Sequence, residues 1–389
     1  MREIYLDNNA TSRVDEAVFD EMRPYFCDLY GNPSSMHFFG GQVQKKVDQA
    51  RQRVAKLLGA QPEEIIFTAC GTESDNTAIR SSLSVFPDRR HIITSRVEHP
   101  AVLTQCRNLT SKGYRVTEIG VDNLGRLDMD AYRHALDDDT AIVTLMYANN
   151  ETGVLFPIEE AAEIARDRGV LFHTDAVQAV GKVPIDLSSS SIDLLSLSGH
   201  KLHAPKGIGV LYVRNGTPFR PFLVGGHQEK SRRAGTENTA AIIALGKACE
   251  LAAQHMEEEN TRVRALRDRL ESELLALIPH TRINGFEAER LPNTASVAFE
   301  FVEGESILLL LSELGICASS GSACTSGSLE PSHVLRAMGV PFTCAHGSIR
   351  FSLSRYTSDN EIDTVVRELP AIISRLREMS PFGKNAVAL

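Results

Sequence analysis

The chain has 389 residues, of which 42% are apolar, so it can bury a full core divided over about two domains, and disorder is not the expectation. A formal net charge of −9 gives no long-range attraction for nucleic acid or an anionic membrane. No apolar stretch follows Arg2 and the run Ile307–Leu311 is too short to span a bilayer, so the expectation is a cytoplasmic protein whose partners are small molecules or proteins.

Apolar positions 43, 47, 50, 54, 57 and 58 keep helical spacing and stop at Gly59, and Ile65–Thr68 then reads as a buried strand. That strand ends in Ala69-Cys70-Gly71-Thr72-Glu73-Ser74, small residues that open a helix. Free N–H groups and the helix dipole make such a turn an anion site, to which Thr72 adds a hydroxyl donor. The alternative for Thr72 is a plain helix cap. A strand at Ile92–Thr94 leads to Val97-Glu98-His99-Pro100, where His99 could stack on an aromatic ring and carry protons, or be a structural histidine.

A strand at Ala141–Leu145, a helix at Pro157–Arg168 stopped by Gly169, and a strand at Val170–Thr174 follow. Asp175 stands at the end of the last, where a carboxylate can pair with a protonated pyridine nitrogen and keep that ring an electron sink. Gln178, one helical turn further, could reach a ring hydroxyl; the ordinary alternative for Asp175 is an N-cap. The next strand, Ile192–Leu197, runs into Ser198-Gly199-His200-Lys201. A lysine fixed at a strand end in a partly desolvated crevice can lose its proton and hold a carbonyl cofactor covalently, with Ser198 and His200 as phosphate donors. Lys206, bracketed by Pro205 and Gly207, fits an ordinary exposed lysine better.

After a strand at Gly209–Val213 the pattern from 239 to 277 is helical and charged, with Glu257-Glu258-Glu259 read as a solvated face. Strands at Ala295–Phe299 and Ile349–Ser354 and a closing helix at Asp359–Met379 suit a smaller α+β unit. Short strands alternating with helices give an α/β fold with a mostly parallel sheet covered on both faces, and the ligand crevice is expected at the strands' carboxyl ends.

Seven cysteines at 27, 70, 106, 249, 317, 324 and 344 show no CxxC pair and no metal-ligand spacing, so no metal site is expected and most should be buried, reduced thiols. Cys324 differs from the rest. It lies in Ser319-Ser320-Gly321-Ser322-Ala323-Cys324-Thr325-Ser326-Gly327-Ser328, a composition that packs no core and suits an exposed, moving loop.

These turns, with Tyr5–Thr11, Gly31–Ser35, Asn149–Gly153, His173–Gln178 and Arg233–Asn238, resemble the class-V aminotransferase family. Within it they resemble the cysteine desulfurases of the NifS/IscS type, most of all the nitrogenase-associated NifS group, almost end to end. The resemblance implies a fold-type-I, aspartate aminotransferase-like enzyme dependent on pyridoxal 5'-phosphate. It also implies a large cofactor domain at 15–258 and a small domain of 1–14 and 259–389 that carries the cysteine loop 319–328. The cofactor residues it implies are Gly71, Thr72, His99, Asn150, Asp175, Gln178, Ser198, His200 and Lys201, joined by Thr236 from the other subunit of a homodimer. Asn150 and Arg350 would hold the substrate carboxylate.

By the same resemblance, Lys201 removes a proton from the substrate L-cysteine, the Cys324 thiolate takes its sulfur as a persulfide, and L-alanine leaves, with His99 a proton carrier. An iron-sulfur scaffold protein of the NifU/IscU kind would accept the sulfur, in nitrogenase maturation or general cluster assembly. The rivals are an aminotransferase on the same fold, which has no need of Cys324, and a sulfur-carrier or metal-binding protein without a cofactor.

Overall fold

The computed structural model describes residues 3–320 and 331–380. Among these residues the strands are β1 (Ile4–Tyr5), β2 (Ile65–Thr68), β3 (His91–Ser95), β4 (Arg115–Ile119), β5 (Thr140–Met146), β6 (Leu171–Asp175), β7 (Leu194–Ser198), β8 (Gly209–Val213), β9 (Thr281–Ile283), β10 (Thr294–Phe299), β11 (Ile316–Cys317) and β12 (Ser348–Ser352). A seven-stranded sheet takes the order β2-β8-β7-β6-β5-β3-β4. Only β8 runs antiparallel to its neighbours, so β2, β3, β5, β6 and β7 all end at the same edge. Every residue of β5, β6 and β7 is buried, as expected of strands with helices on both faces and no polar alternation.

On one face lie the helices Phe38–Leu58, Ile158–Asp167 and Thr239–Gln254, which join Val43, Val47, Phe172 and Ile243 in one core. The first of these ends at Gly59, whose φ of 64° is the left-handed conformation glycine adopts without a Cβ penalty. It packs against the third so closely that a Cβ on Gly246 would sit 2.5 Å from the Ala50 Cα. The helices Gly71–Val85 and Pro100–Thr110 cover the other face with Ile66, Ile79, Ile92 and Val102.

A second core surrounds the antiparallel sheet β12-β10-β9, packed under the helices Arg264–Leu277, Gly304–Glu313 and Asp359–Met379. Leu6, Phe299, Phe351 and Leu369 are among its fully buried members, each worth about 1.5–3 kcal/mol relative to exposure. Val334, Leu335 and Cys344 lie in the chain between the helix Gly304–Glu313 and β12 yet belong to the first core. No helix among the described residues is long and apolar enough to cross a membrane.

Four features depart from the sequence expectations, one being that Glu259, read as part of a solvated face, is only 6% exposed. β4 was not foreseen because it is an edge strand, Arg-Val-Thr-Glu-Ile, with no continuous apolar run. The stretch 239–277 is not one helix: it breaks after Gln254 and passes through a π-helical turn at Glu259–Val263. Of the six described cysteines only Cys106, Cys249 and Cys344 are buried, while Cys27 is exposed and Cys70 and Cys317 lie between. Burial pushes the Cys106 and Cys249 thiols up to about 12, which makes them poor nucleophiles.

Candidate active site

The common edge where the parallel strands end opens into a cavity of about 330 Å³. Cys70, Gly71 and Thr72 follow β2, His99 follows β3, Asn150 and Glu151 follow β5, Asp175 and Gln178 belong to the β6 end, and Ser198, His200 and Lys201 to the β7 end. Asn9, His333 and Arg350 close it from the other side. Every site residue expected from the sequence lines this one cavity except Thr236 and Cys324. Thr236 is exposed and lies outside its own chain's cavity. Cys324 lies outside the described residues, as does the rest of the loop beyond Ser320.

β7 ends at Ser198 and a single 3₁₀ turn, Gly199–Lys201, points the lysine into the cavity. Its Nζ donates to the carbonyl of Ala10 at 2.7 Å and to that of Asn9. The neighbouring His200 has its Nδ1 3.1 Å from the Thr11 hydroxyl, and burial, helped by the Lys201 charge, lowers it to about 4, so the ring is neutral.

The helix Gly71–Val85 starts with Cys70 at its N-cap and no side-chain cap bond, so its first N–H groups are left for the cavity. Thr72 is therefore not the cap. A Cβ on Gly71 would come within 2.8 Å of Val177 and 3.4 Å of Ser198, so only glycine lets this turn sit against the ends of β6 and β7.

The floor is acidic. Asp175 Oδ1 accepts from the Val177 N–H at 2.9 Å, a local turn and not a helix cap, since the residues after β6 form a run of turns. Burial raises its pKa, with His99 and Lys201 opposing. Asp75 behind it is raised by burial and by Asp175, and its buried Oδ1 has no hydrogen-bond partner among the described residues. Burial also lifts Glu98 to about 8 against hydrogen bonds from Ser95 and the Met146 N–H. His99 is at once structural and in the cavity: it caps the helix Pro100–Thr110, its Nδ1 accepting from the Ala101 N–H at 3.1 Å. Burial lowers its pKa, so the ring is neutral with the proton on Nε2.

Arg350, at 3% exposure, donates from Nη1 to the Asn150 carbonyl at 2.9 Å and from Nη2 to Asp7 Oδ1 at 2.7 Å, while its buried Nε has no partner among the described residues. Residues given no role from the sequence also line the cavity: Asn9, Asp75, Glu151 and His333. Asn9 lies in the Tyr5–Thr11 motif and Glu151 in Asn149–Gly153, so both were in view as pattern. Nothing in their spacing signalled a contact. His333 Nε2 meets the Glu98 carbonyl at 3.0 Å across more than 200 residues of chain.

These residues fit pyridoxal 5'-phosphate. An uncapped helix start would take the phosphate, the acidic floor at Asp175 a protonated ring nitrogen, Asn150 and Gln178 the ring hydroxyl, and Lys201 the aldehyde carbon.

Comparison with known proteins agrees. The model of the class-V aminotransferase family matches residues 4–365. The chain is 62% identical over 383 residues to cysteine desulfurase NifS of Azotobacter vinelandii, covering 98% of this chain and 95% of that protein. It is 61% identical over 390 residues to a cysteine desulfurase of Gluconacetobacter diazotrophicus, covering 100% and 98%. Among solved structures, a NifS-like protein superposes with a TM-score of 0.90 at 39% identity, over 96% of this chain and all (100%) of that one. SspA in complex with cysteine superposes with a TM-score of 0.81 at 34% identity, over 92% and 100%. With its fold, its cavity and relatives of this identity along nearly its whole length, the chain belongs to the class-V aminotransferase family of pyridoxal-phosphate enzymes, within the cysteine desulfurases.

Proposed function

We propose that this protein is a cysteine desulfurase that converts L-cysteine to L-alanine and passes the sulfur to Cys324 as a persulfide, for iron-sulfur cluster assembly and nitrogenase maturation. The observation that carries the reading is the meeting of Lys201, Asp175 and the uncapped Gly71-Thr72 helix start in one cavity, in a chain 62% identical to a NifS desulfurase.

Bound there, pyridoxal 5'-phosphate supplies an electron sink for charge developing at the substrate Cα. Lys201 would hold the cofactor and, with its amine free, would move the substrate Cα proton; the Asn9 and Ala10 carbonyls fix that amine. The Asp175 carboxylate would pair with a protonated ring nitrogen. His99, neutral and with its Nε2 proton available, would lie against the cofactor ring and return protons to the carbon skeleton. Arg350 orients the substrate carboxylate, its guanidinium pre-aimed by Asp7 and the Asn150 carbonyl. The Cys324 thiolate attacks the substrate sulfur, the carbon–sulfur bond breaks, and the skeleton takes up protons and leaves as alanine.

The protein is a homodimer in this reading, with Thr236 serving the neighbouring subunit's phosphate. Its exposure away from its own cavity supports this, as do the outward Tyr30, Met36, Phe38 and Val224, between 70% and 103% exposed. The domains in this reading are a large one at 15–258 and a small one of 1–14 and 259–389; the second core lies wholly within the small one, while Val334, Leu335 and Cys344 of that domain pack into the first core. The sulfur acceptor is a NifU/IscU-like scaffold protein, and the setting is cytoplasmic. A visible-absorbance spectrum of the purified protein, followed by L-cysteine with alanine and sulfide assays, tests the whole. A coloured protein that releases both products is expected; a colourless one, or one that exchanges amino groups without releasing sulfide, overturns the reading.

A further inference from the structure

We propose that Lys182 is a positioning residue that locks the Gln178 side-chain amide with its N–H₂ end toward the cofactor; the inference rests on the reading of this cavity as the pyridoxal-phosphate site. Lys182 does not line the cavity. It sits behind it in the turns after β6, only 7% exposed, and its Nζ donates to Gln178 Oε1 at 3.2 Å. On the far side of the same amide, Gln178 Nε2 donates to the Asn9 carbonyl at 3.0 Å, the carbonyl that also accepts from Lys201.

The two ends of a glutamine amide are nearly isosteric, so chemistry decides which way it faces. An ammonium can only donate and a carbonyl can only accept. Set between the two, the amide has one satisfied orientation, with Oε1 to Lys182 and Nε2 to Asn9. The second Nε2 hydrogen is then left for the cavity that Gln178 lines, where a phenolic ring oxygen needs a donor. Turned over, the amide would place an oxygen against the Asn9 carbonyl and an N–H₂ against the ammonium.

Lys182 is itself held. At Gly181, with φ 76°, a Cβ would come within 2.4 Å of Leu202 and 3.1 Å of Ala252, so the turn is pressed between the segment after Lys201 and the helix Thr239–Gln254. The Lys182 carbonyl accepts from Asn260 Nδ2 at 2.8 Å, in the π-helical turn. Burial pushes the Lys182 amine down to about 8, the Glu259 charge opposing and the Arg350 charge adding to the fall. Glu259 is 6% exposed with its Oε2 unpartnered among the described residues, and burial raises its carboxyl with Lys182 opposing, so the π-helical turn brings a buried acidic group to a lysine that the proposed chemistry does not otherwise use.

The test compares wild type, Lys182→Met, Gln178→Ala and the double variant, each reconstituted with pyridoxal 5'-phosphate. Lys182→Met is expected to shift the absorption band of the bound cofactor and to weaken cofactor binding by about tenfold, the scale of one hydrogen bond to a charged group. Adding it to Gln178→Ala should change neither quantity further, because the lysine acts through that amide. An unaltered spectrum and affinity in Lys182→Met, or effects that add in the double variant, overturn the proposal while leaving the cofactor site standing. Wild type that takes up no pyridoxal 5'-phosphate overturns both. If Lys182→Met does not fold, a crystal structure of the wild-type holoenzyme decides: Nζ within hydrogen-bond reach of Gln178 and the amide nitrogen on the ring oxygen uphold it, and Nζ turned to Glu259 overturns it.

Discussion

The two walls of the cavity are built differently. One is a row of strand ends, in which Asp175, Ser198 and Lys201 stand on β6 and β7 or in the turn after β7, fixed by a sheet whose central strands are wholly buried. The other is assembled across the chain: Asp7 reaches Arg350, and the Asn9 N–H donates to the Ser352 hydroxyl at 2.9 Å. Asn9 joins the walls, since its side chain bonds Thr294 and Asn293 while its carbonyl takes Lys201 and Gln178. The strand-end wall suits a resident group that must not move. The assembled wall, with its spare Arg350 Nε–H, suits a substrate that comes and goes.

If that division holds, damage to the first wall removes the chemistry and damage to the second weakens binding. Lys201→Ala should give the largest effect, losing the bound-cofactor absorbance and at least about four orders of magnitude in alanine production. Retained colour and turnover would break the assignment. Asp175→Asn should keep the fold but cost roughly two to three orders of magnitude in kcat, because a neutral amide cannot hold the ring nitrogen protonated. A near-normal kcat would show that Asp75 or another group does this work.

On the other wall, Arg350→Lys should raise the KM for L-cysteine by about 10- to 100-fold with a smaller fall in kcat, since a point charge cannot replace the bidentate fork. A pure kcat defect would move Arg350 from substrate binding to the chemistry. The smallest effect is expected at Asp15, which ties the N-terminal segment to the region after β12. Burial would raise its carboxyl, but hydrogen bonds from the Tyr356 hydroxyl and from Arg355, at 2.9 Å, outweigh this and hold it at about 2, below its usual 3.8. A depressed carboxylate pKa stabilises the fold above the unfolded value, and this is lost as pH falls from about 4 toward 2, about 1 kcal/mol once solvent screening is allowed for. Denaturation of Asp15→Asn across that range should show a shallower acid decline than wild type; parallel curves would remove the tie.

How much of each wall could be read from the sequence follows from the same contrast. Lys201, Asp175 and Gly71 were legible because each follows an apolar run, and strand ends of a parallel sheet gather at one edge. β5, β6 and β7 were foreseen within two residues at each end, and the closing helix 359–379 in full. The pairing of β1 with β11, the Asp7–Arg350 ion pair and the place of His333 were not, because they join residues far apart in sequence and leave no periodic trace. Lys182 was invisible for another reason: a lysine four residues after a glutamine in a turn reads as solvent-exposed, and only the fold buries it.

The most direct test of the central claim follows the sulfur itself. Purified, cofactor-loaded protein is mixed with a small excess of L-cysteine in the absence of any reductant or acceptor, alanine is counted, and the modified cysteine is mapped by mass spectrometry. Alanine matched by an equal amount of persulfide on Cys324, with Cys324→Ala keeping its colour and forming neither, is the expected result. Alanine formed at the wild-type rate by Cys324→Ala, or persulfide found on another cysteine, would contradict the account.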